Sequence, residues 1–189
     1  MLYLASTSPR RKAILKSLGF SFRTLKPNYK EGKTTNRLSP SRTVKKHALS
    51  KALSMTKKVR NGVIIGADTV VYFRGRIIGK PKNFKEAVKI LRTLEGCTHT
   101  VHTGVALLEI RRSAVKRKAV FSEKTRVRLK EMSSRDIEDY FRKIDPLDKA
   151  GAYAIQSKTA SIVREIRGSY SNAVGLPVEK LCVRLKNPK

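Results

Sequence analysis

Four stretches of this 189-residue chain carry side chains whose types and spacing could do chemistry. In the first, Ser6, Thr7, Ser8 and Pro9 lead into Arg10 and Arg11 at the mouth of a predicted helix. Unpaired backbone N–H groups and the positive end of a helix dipole favour an anion there. Serine hydroxyls can add hydrogen bonds, and arginines can grip phosphate-like oxygens two at a time. Taken alone, the stretch leans toward a plainer account in which Ser8 caps the helix and the arginines are ordinary surface. The second stretch is Asp68-Thr69, placed directly after the apolar run "VIIGA". A buried carboxylate is costly unless it is paired or binds a cation, so the alternative to a working acid is a turn cap. Lys80-Pro81 follows a short hairpin and offers a cation near the same edge, or one more solvated lysine. The third stretch, "DPLDKAGAYAIQ", sets Asp145 and Asp148 about a turn and carries Gln156, whose amide can both donate and accept toward a base edge. The fourth, "GSYSNAVGLP" from 168 to 177, reads as a glycine-bounded loop that approaches a ligand or merely links two elements.

These side chains need a scaffold, and the pattern of apolar residues supplies one. Residues 2–5 read as a short strand. Pro9 opens a helix with Ala13, Ile14, Leu15 and Leu18 on one stripe, and Gly19 ends it. "FSFRTL" reads as a second strand, residues 27–40 as a long polar loop, and residues 41–59 as a helix through Val44, Ala48, Leu49, Ala52 and Leu53. "VIIGAD" is a continuous apolar run ending in an acid, expected of a strand buried on both faces. A hairpin should turn at Arg74-Gly75, and Asn83 with Glu86 makes a capping-box-like start for the next helix. Residues 99–110 and 116–130 alternate as two long paired strands. Ser133 or Ser134 caps a helix, strands surround Tyr153 and Val163, and a last helix begins at Pro177. Strands interleaved with helices and hairpins predict an α/β fold with a mixed twisted β-sheet and flanking helices.

Composition bounds the partners. Forty-three Lys and Arg against fourteen Asp and Glu leave a net charge of +29, which favours any polyanion. The basic residues are spread along the whole chain, so the charge is read as a bias over solvated faces rather than as a dedicated nucleic-acid surface. No apolar run is long enough to span a bilayer, so no membrane partner is expected. The apolar start is too short for a secretory leader, and Cys97 and Cys182 lie far apart without metal-ligand spacing, so a cytoplasmic protein with reduced thiols is expected. Neither common glycine-rich nucleotide cradle is present. His47, His99 and His102 make no zinc motif, and no serine, histidine and acid form a recognisable acyl-transfer triad.

In their order along the chain, "LASTSPRRKAILKSLGFSF", the segment from "IIGADTVV" to "HTGVAL", "DPLDKAGAYAIQ" and "GSYSNAVGLPVEKL" resemble the Maf family of nucleoside triphosphate pyrophosphatases. The resemblance covers nearly the whole chain. It implies one domain over 1–189, with two lobes around a nucleotide-binding cleft, in the α/β architecture shared with the inosine triphosphatases (Ham1). The implied reaction is cleavage of a nucleoside triphosphate between its α- and β-phosphates, with a divalent metal ion, Mg²⁺ or Mn²⁺, as cofactor.

Matched motif by motif, the resemblance makes Ser6, Ser8, Arg10 and Arg11 a phosphate-binding corner and Lys51, in "ALSKA", a phosphate-facing lysine. Asp68 matches the general base and a metal ligand, Glu31 the second metal ligand, and Lys80 the lysine of a G-K-P element. Arg10, Thr69 and Gln156 match the subfamily that prefers dTTP and UTP; the subfamily acting on 7-methyl-GTP differs at these positions. Asp145 stands where the family usually has Glu, and Ser157-Lys158-Thr159-Ala160 follows Gln156 where glycines are usual. The expected partner is a nucleoside triphosphate, with a homodimer left open. Two alternatives stand beside the pyrimidine reading: a 7-methyl-GTP pyrophosphatase, and a non-catalytic nucleic-acid-binding or cell-division regulator on the same fold. Retention of Glu31 and Asp68 in so basic a chain weighs against the latter.

Overall fold

The computed structural model describes residues 1–30, 39–156 and 161–186. The chain opens with β1 (Leu2–Ala5), α1 (Pro9–Ser17), β2 (Phe22–Leu25) and α2 (Pro40–Leu53). β3 (Gly62–Phe73) folds back onto β4 (Arg76–Ile78), and α3 (Phe84–Leu94) follows. The long pair β5 (Thr98–Arg111) and β6 (Ala114–Leu129) precedes α4 (Ser134–Lys143), β7 (Val163–Arg167), α5 (Tyr170–Val174) and α6 (Val178–Lys186). Among the described residues seven strands make one sheet in the order β2-β1-β3-β5-β6-β7, with β4 paired to β3. β1 runs parallel to both β2 and β3, and the remaining pairs are antiparallel. This is the mixed α/β sheet that the alternation of patterns predicts.

Two faces of the sheet are filled differently. On one, α2 lays Ala48, Ala52 and the following Met55 against Ile64, Ala106 and Leu108. On the other, Ile14 and Leu15 of α1 join Ile65, Ala67, Val105, Leu107 and Leu181. Close approach of α2 depends on two glycines. A Cβ at Gly66 would stand 2.2 Å from the Ala48 carbonyl oxygen, and one at Gly104 would stand 2.4 Å from that of Val44. Both distances are far inside van der Waals contact, so α2 can lie on the sheet only where these side chains are missing.

Local chemistry explains where the elements start and stop. Ser39 and Asn83 accept from the backbone N–H groups of Arg42 and Glu86 and so cap α2 and α3. The Lys82 N–H in turn donates to the Glu86 carboxylate at 2.7 Å. Ser133, not Ser134, caps α4 in a full capping box with Asp136. The hairpin between β3 and β4 turns at Arg74 and Gly75, both at positive φ, as expected of a two-residue loop.

Four expectations are corrected. Asp68 does not end its strand, because β3 continues to Phe73 by pairing with β4 and β5. What ends near it is β1, whose last partner on β3 is Gly66. Ser8 occupies the N-cap position of α1 but makes no capping hydrogen bond; its own N–H donates to Ser6 Oγ at 3.2 Å. No strand surrounds Tyr153: Gly151 and Ala152 take positive φ, and the Ala154 N–H is used by the Tyr140 hydroxyl oxygen at 2.8 Å. Residues 168–177 are not all loop, because Ser169 accepts from the Asn172 N–H and nucleates the short helix α5.

Candidate active site

β1 stops at Ala5 while β3 runs on, so the edge of β3 from Ala67 onward opens between the two helix layers. A cleft of about 370 Å³ lies there, lined by residues 6–11, by His47 and Lys51 of α2, by Asp68 to Val71, by Lys80, and by Asp148 to Ala150 and Tyr153 to Ile155. A larger cavity of about 840 Å³ lies between the Gly62 end of β3 and α6. It contains none of the residues with candidate chemistry, so the smaller cleft is the candidate site.

Strand alternation sends Asp68 and Thr69 to opposite faces, and each is met by a cation from its own layer. On the α2 side, Lys51 Nζ donates to Asp68 Oδ1 at 2.6 Å. The other carboxylate oxygen, Oδ2, is buried without a hydrogen-bond partner and lies 3.7 Å from His47 Nδ1, which is equally unpartnered. His47 and Lys51 reach the same carboxylate because residues four apart share a helix face. Tyr29 packs edge-on against the His47 ring at 5.8 Å.

On the α1 side, Arg11 is almost fully buried and ties three segments together. Its Nε donates to the Gly175 carbonyl at 2.8 Å, Nη1 to Ser6 Oγ at 3.2 Å, and Nη2 to Thr69 Oγ1 at 2.9 Å. Gly175 sits at φ 121°, in the left-handed region that favours glycine. Thr69 Oγ1 also shares a 3.0 Å hydrogen bond with Thr103, which donates to the Asn172 carbonyl at 3.0 Å. Thus the "GLP" turn anchors Arg11 through the Gly175 carbonyl.

The mouth of the cleft holds Arg10 and the turn at Asp148. Arg10 Nη1 donates to Asp148 Oδ2 at 3.0 Å, and Nη2 donates to the Asp148 carbonyl at 3.1 Å. Lys149 also donates to the Asp148 carboxylate. Burial works to raise the Asp148 carboxyl, but the Lys149 hydrogen bond and the charges of Arg10 and Lys149 outweigh it and hold the group below its ordinary value. Deeper in, the Tyr153 hydroxyl meets His99 Nε2 at 2.6 Å. Burial lowers the His99 ring to about 4, so it is neutral near pH 7.

Of the site residues matched through the family resemblance, seven besides Asp68 line this cleft: Ser6, Ser8, Arg10, Arg11, Lys51, Thr69 and Lys80. Gln156 does not; it is exposed, one residue beyond the lining Ile155. Glu31 lies outside the described residues. His47 was missed as a site residue, although its spacing of four from Lys51 was a usable signal. The Arg10–Asp148 and Arg11–Gly175 contacts join segments far apart in the chain, and no local pattern announces them.

A divalent ion can be tested against these donors. Among the described residues no three His, Cys, Asp or Glu side chains cluster as a preformed cage. Mg²⁺ does not need one, since it is commonly held by one or two carboxylates with substrate phosphates and water. The unpartnered Oδ2 of Asp68, at the cleft and flanked by cations suited to phosphate oxygens, fits that mode.

Comparison with known proteins agrees with the architecture. Residues 1–187 match the Maf-like protein family. A dTTP/UTP pyrophosphatase of Dictyoglomus thermophilum is 44% identical over 180 residues, 95% of this chain and 92% of the relative. One of Pelotomaculum thermopropionicum is 40% identical over 185 residues, 98% of this chain and 95% of the relative. Among solved structures, the Staphylococcus aureus Ham1 protein superposes with a TM-score of 0.51 at 14% identity, covering 100% of this chain and 99% of that one, a likeness of fold alone. The family match over residues 1–187 and the near-complete coverage of these relatives place the chain in the Maf-like protein family.

Proposed function

We propose that this chain is a nucleoside triphosphate pyrophosphatase that cleaves dTTP and UTP to the monophosphate and pyrophosphate. The observation that carries the proposal is the Asp68 carboxylate. One oxygen is fixed by Lys51, the other is unpartnered, and the group stands in a cleft whose walls supply Arg10, Arg11 and Lys80. Binding alone gives no reason to hold an acid among cations facing an anionic ligand. The names of the relatives from D. thermophilum and P. thermopropionicum support the pyrimidine preference.

Asp68 Oδ2 would orient the attacking water and accept its proton as oxygen bonds to the α-phosphorus. The bond from the α-phosphorus to the bridging oxygen breaks, and pyrophosphate leaves with that electron pair. Lys51 keeps the carboxylate aimed. Lys80, Arg10 and the N–H groups at the start of α1 offset charge on the departing phosphates. Arg11, which also lines the cleft, donates to Gly175, Ser6 and Thr69, and these contacts would brace Ser6 and Thr69 beside the substrate phosphates. Asp68, with Glu31 by resemblance and the substrate phosphates, would hold Mg²⁺ or Mn²⁺. The chemistry that ion supplies when bound is polarisation of the α-phosphate. A cytoplasmic, reducing setting belongs to the same proposal: Cys97 and Cys182 are free, and no helix among the described residues is long and apolar enough to cross a membrane.

The test is pyrophosphate release from dTTP, UTP, CTP, GTP and 7-methyl-GTP, each with and without Mg²⁺ or Mn²⁺. Metal-dependent release fastest with dTTP and UTP is expected. Preference for 7-methyl-GTP, or no release from any nucleotide, overturns the assignment.

A further inference from the structure

Among the described residues, α2 covers this face of the sheet as far as Gly104, and beyond that glycine the side chains of β5 and β6 on the same face are half-buried or exposed. Alternation along β3 places Val70 and Tyr72 on the face of Asp68. The register then assigns the neighbouring positions: Val70 opposes His102 and Tyr72 opposes Thr100 on β5. On β6, Lys124 opposes His102, Arg126 opposes Thr100, and Arg128 opposes Thr98. On β7, Arg167 opposes Arg126, and Glu165 opposes Arg128. Four antiparallel strands therefore present one face with two rings in the middle and a basic flank. Lys124, Arg126, Arg128 and Arg167 are exposed, and Tyr72 and His102 are half-buried.

The composition of this face is selective. Its single acid, Glu165, accepts from Arg167 Nε at 2.6 Å, which leaves a net positive surface. Tyr72 and His102 stand ring to ring, centroids 6.2 Å apart and nearly perpendicular. Burial, and then the charge of Lys124, lower the His102 ring, so it is neutral near pH 7 and is an aromatic surface rather than another cation. Lys124, Arg126 and Arg128 recur every second residue, about 7 Å apart along one face of β6. Such a row can follow an extended polyanion, while the rings offer π-faces to unpaired bases. Duplex nucleic acid hides those faces, and a membrane surface has no use for them.

We propose that this open face of β3, β5, β6 and β7 binds single-stranded nucleic acid, with bases against Tyr72 and His102 and the backbone along Lys124, Arg126 and Arg128. The face begins at Val70, which also lines the cleft, so the bound strand lies beside the candidate active site without entering it. The proposal assigns a role to four of the 43 basic residues, Lys124, Arg126, Arg128 and Arg167. It does not depend on the pyrophosphatase assignment.

The test uses the full chain and a fluorescent twelve-residue oligouridylate with 5′-hydroxyl ends, which carries no triphosphate for the cleft. Anisotropy is measured across a salt series. Lys124→Gln/Arg126→Gln/Arg128→Gln is expected to weaken binding at least about tenfold at low salt and to reduce the slope of log K against log salt by about 2, from three lost phosphate contacts. Tyr72→Ala should weaken binding by roughly five- to a hundredfold with the slope unchanged, the range for losing one stacked base. Arg112→Gln/Lys116→Gln/Lys118→Gln removes equal charge from the β5–β6 hairpin and should bind as the unaltered chain does. An unchanged far-ultraviolet circular dichroism spectrum and a single cooperative thermal melt certify each variant as folded. Equal losses from the two triple variants would show diffuse charge binding and overturn the proposal. So would tighter binding to phosphatidylserine vesicles than to the oligonucleotide, or failure of the unaltered chain to bind it.

Discussion

Asp68 concentrates the chemical argument in one side chain. Replacing it by Asn keeps the shape and the contact with Lys51 but removes the proton acceptor. Turnover of dTTP is therefore expected to fall by roughly 10²–10⁴-fold with a much smaller change in KM, the range for a lost general base. Steady-state pyrophosphate release checks this, and near-normal turnover removes Asp68 from the role. A second residue sets an acid limit on stability. His99 is buried, bonded to the Tyr153 hydroxyl, and lowered to about 4 in the fold. The unfolded chain binds its proton near pH 6.5, so stability from the neutral ring is full above that pH. It drains as pH falls from 6.5 toward 4, by of order 3 kcal/mol in total. His99→Leu should cost about 1–3 kcal/mol at pH 7.5, because Tyr153 loses its partner, yet flatten the loss of stability across that acid window. Denaturant titrations at pH 7.5, 5.5 and 4.5 decide it; parallel pH profiles for both proteins would exclude His99 as the sensor. Residue types announced the acid and the cations of the cleft, but not their pairing. Arg11 Nε donates to the carbonyl of Gly175, 164 residues away, a contact that no local spacing encodes.

Elements turn these residues into a site by bringing α2 hard against β3 and β5. Because Gly104 lies opposite Asp68 and under the Val44 carbonyl, it sets the height of the helix that carries His47 and Lys51. Gly104→Ala should push α2 outward, destabilise the fold by about 1–3 kcal/mol as an overpacked core does, and cut kcat by loosening the 2.6 Å contact between Lys51 and Asp68. Gly79→Ala is the control for stability alone, since a Cβ there meets no protein atom within 4 Å and should be near neutral in a melt. Thermal melts of both variants, with kcat for Gly104→Ala against the unaltered chain, check this, and equal melts of the two variants would mean that α2 does not depend on the glycine. The same elements show what sequence can carry. Long alternating runs such as β5 and β6, and helices with strong caps such as α3 and α4, were legible because their signals are local. The true end of β3 was not, because its last residues owe their strand state to β4 and β5 rather than to their own pattern. Nor was the irregular course at Tyr153, where positive φ at Ala152 and a hydrogen bond from Ala154 to Tyr140 override a sequence that alternates like a strand.

At the scale of the molecule, a net charge of +29 acts on every step that moves an anion or compacts the chain. Like charges repel one another in the folded state, and salt screens them with a Debye length that shrinks from about 30 Å at 0.01 M to about 10 Å at 0.1 M. Raising sodium chloride from 0.01 to 0.2 M should therefore increase the melting temperature, against the usual weakening of individual surface ion pairs. Substrate capture should respond in the opposite sense. A nucleoside triphosphate approaching a cleft walled by Arg10, Arg11, Lys51 and Lys80 is drawn in by the same field, so kcat/KM should fall severalfold over that salt range. Once substrate is bound, contacts of a few ångströms inside the cleft are screened far less, so kcat at saturation should change little. Melting curves and initial rates across one salt series, at fixed free Mg²⁺, measure both effects together. If kcat falls in step with kcat/KM, salt is acting on the bound site rather than on approach. The charge would then be a constituent of the chemistry and not only the field through which substrate arrives.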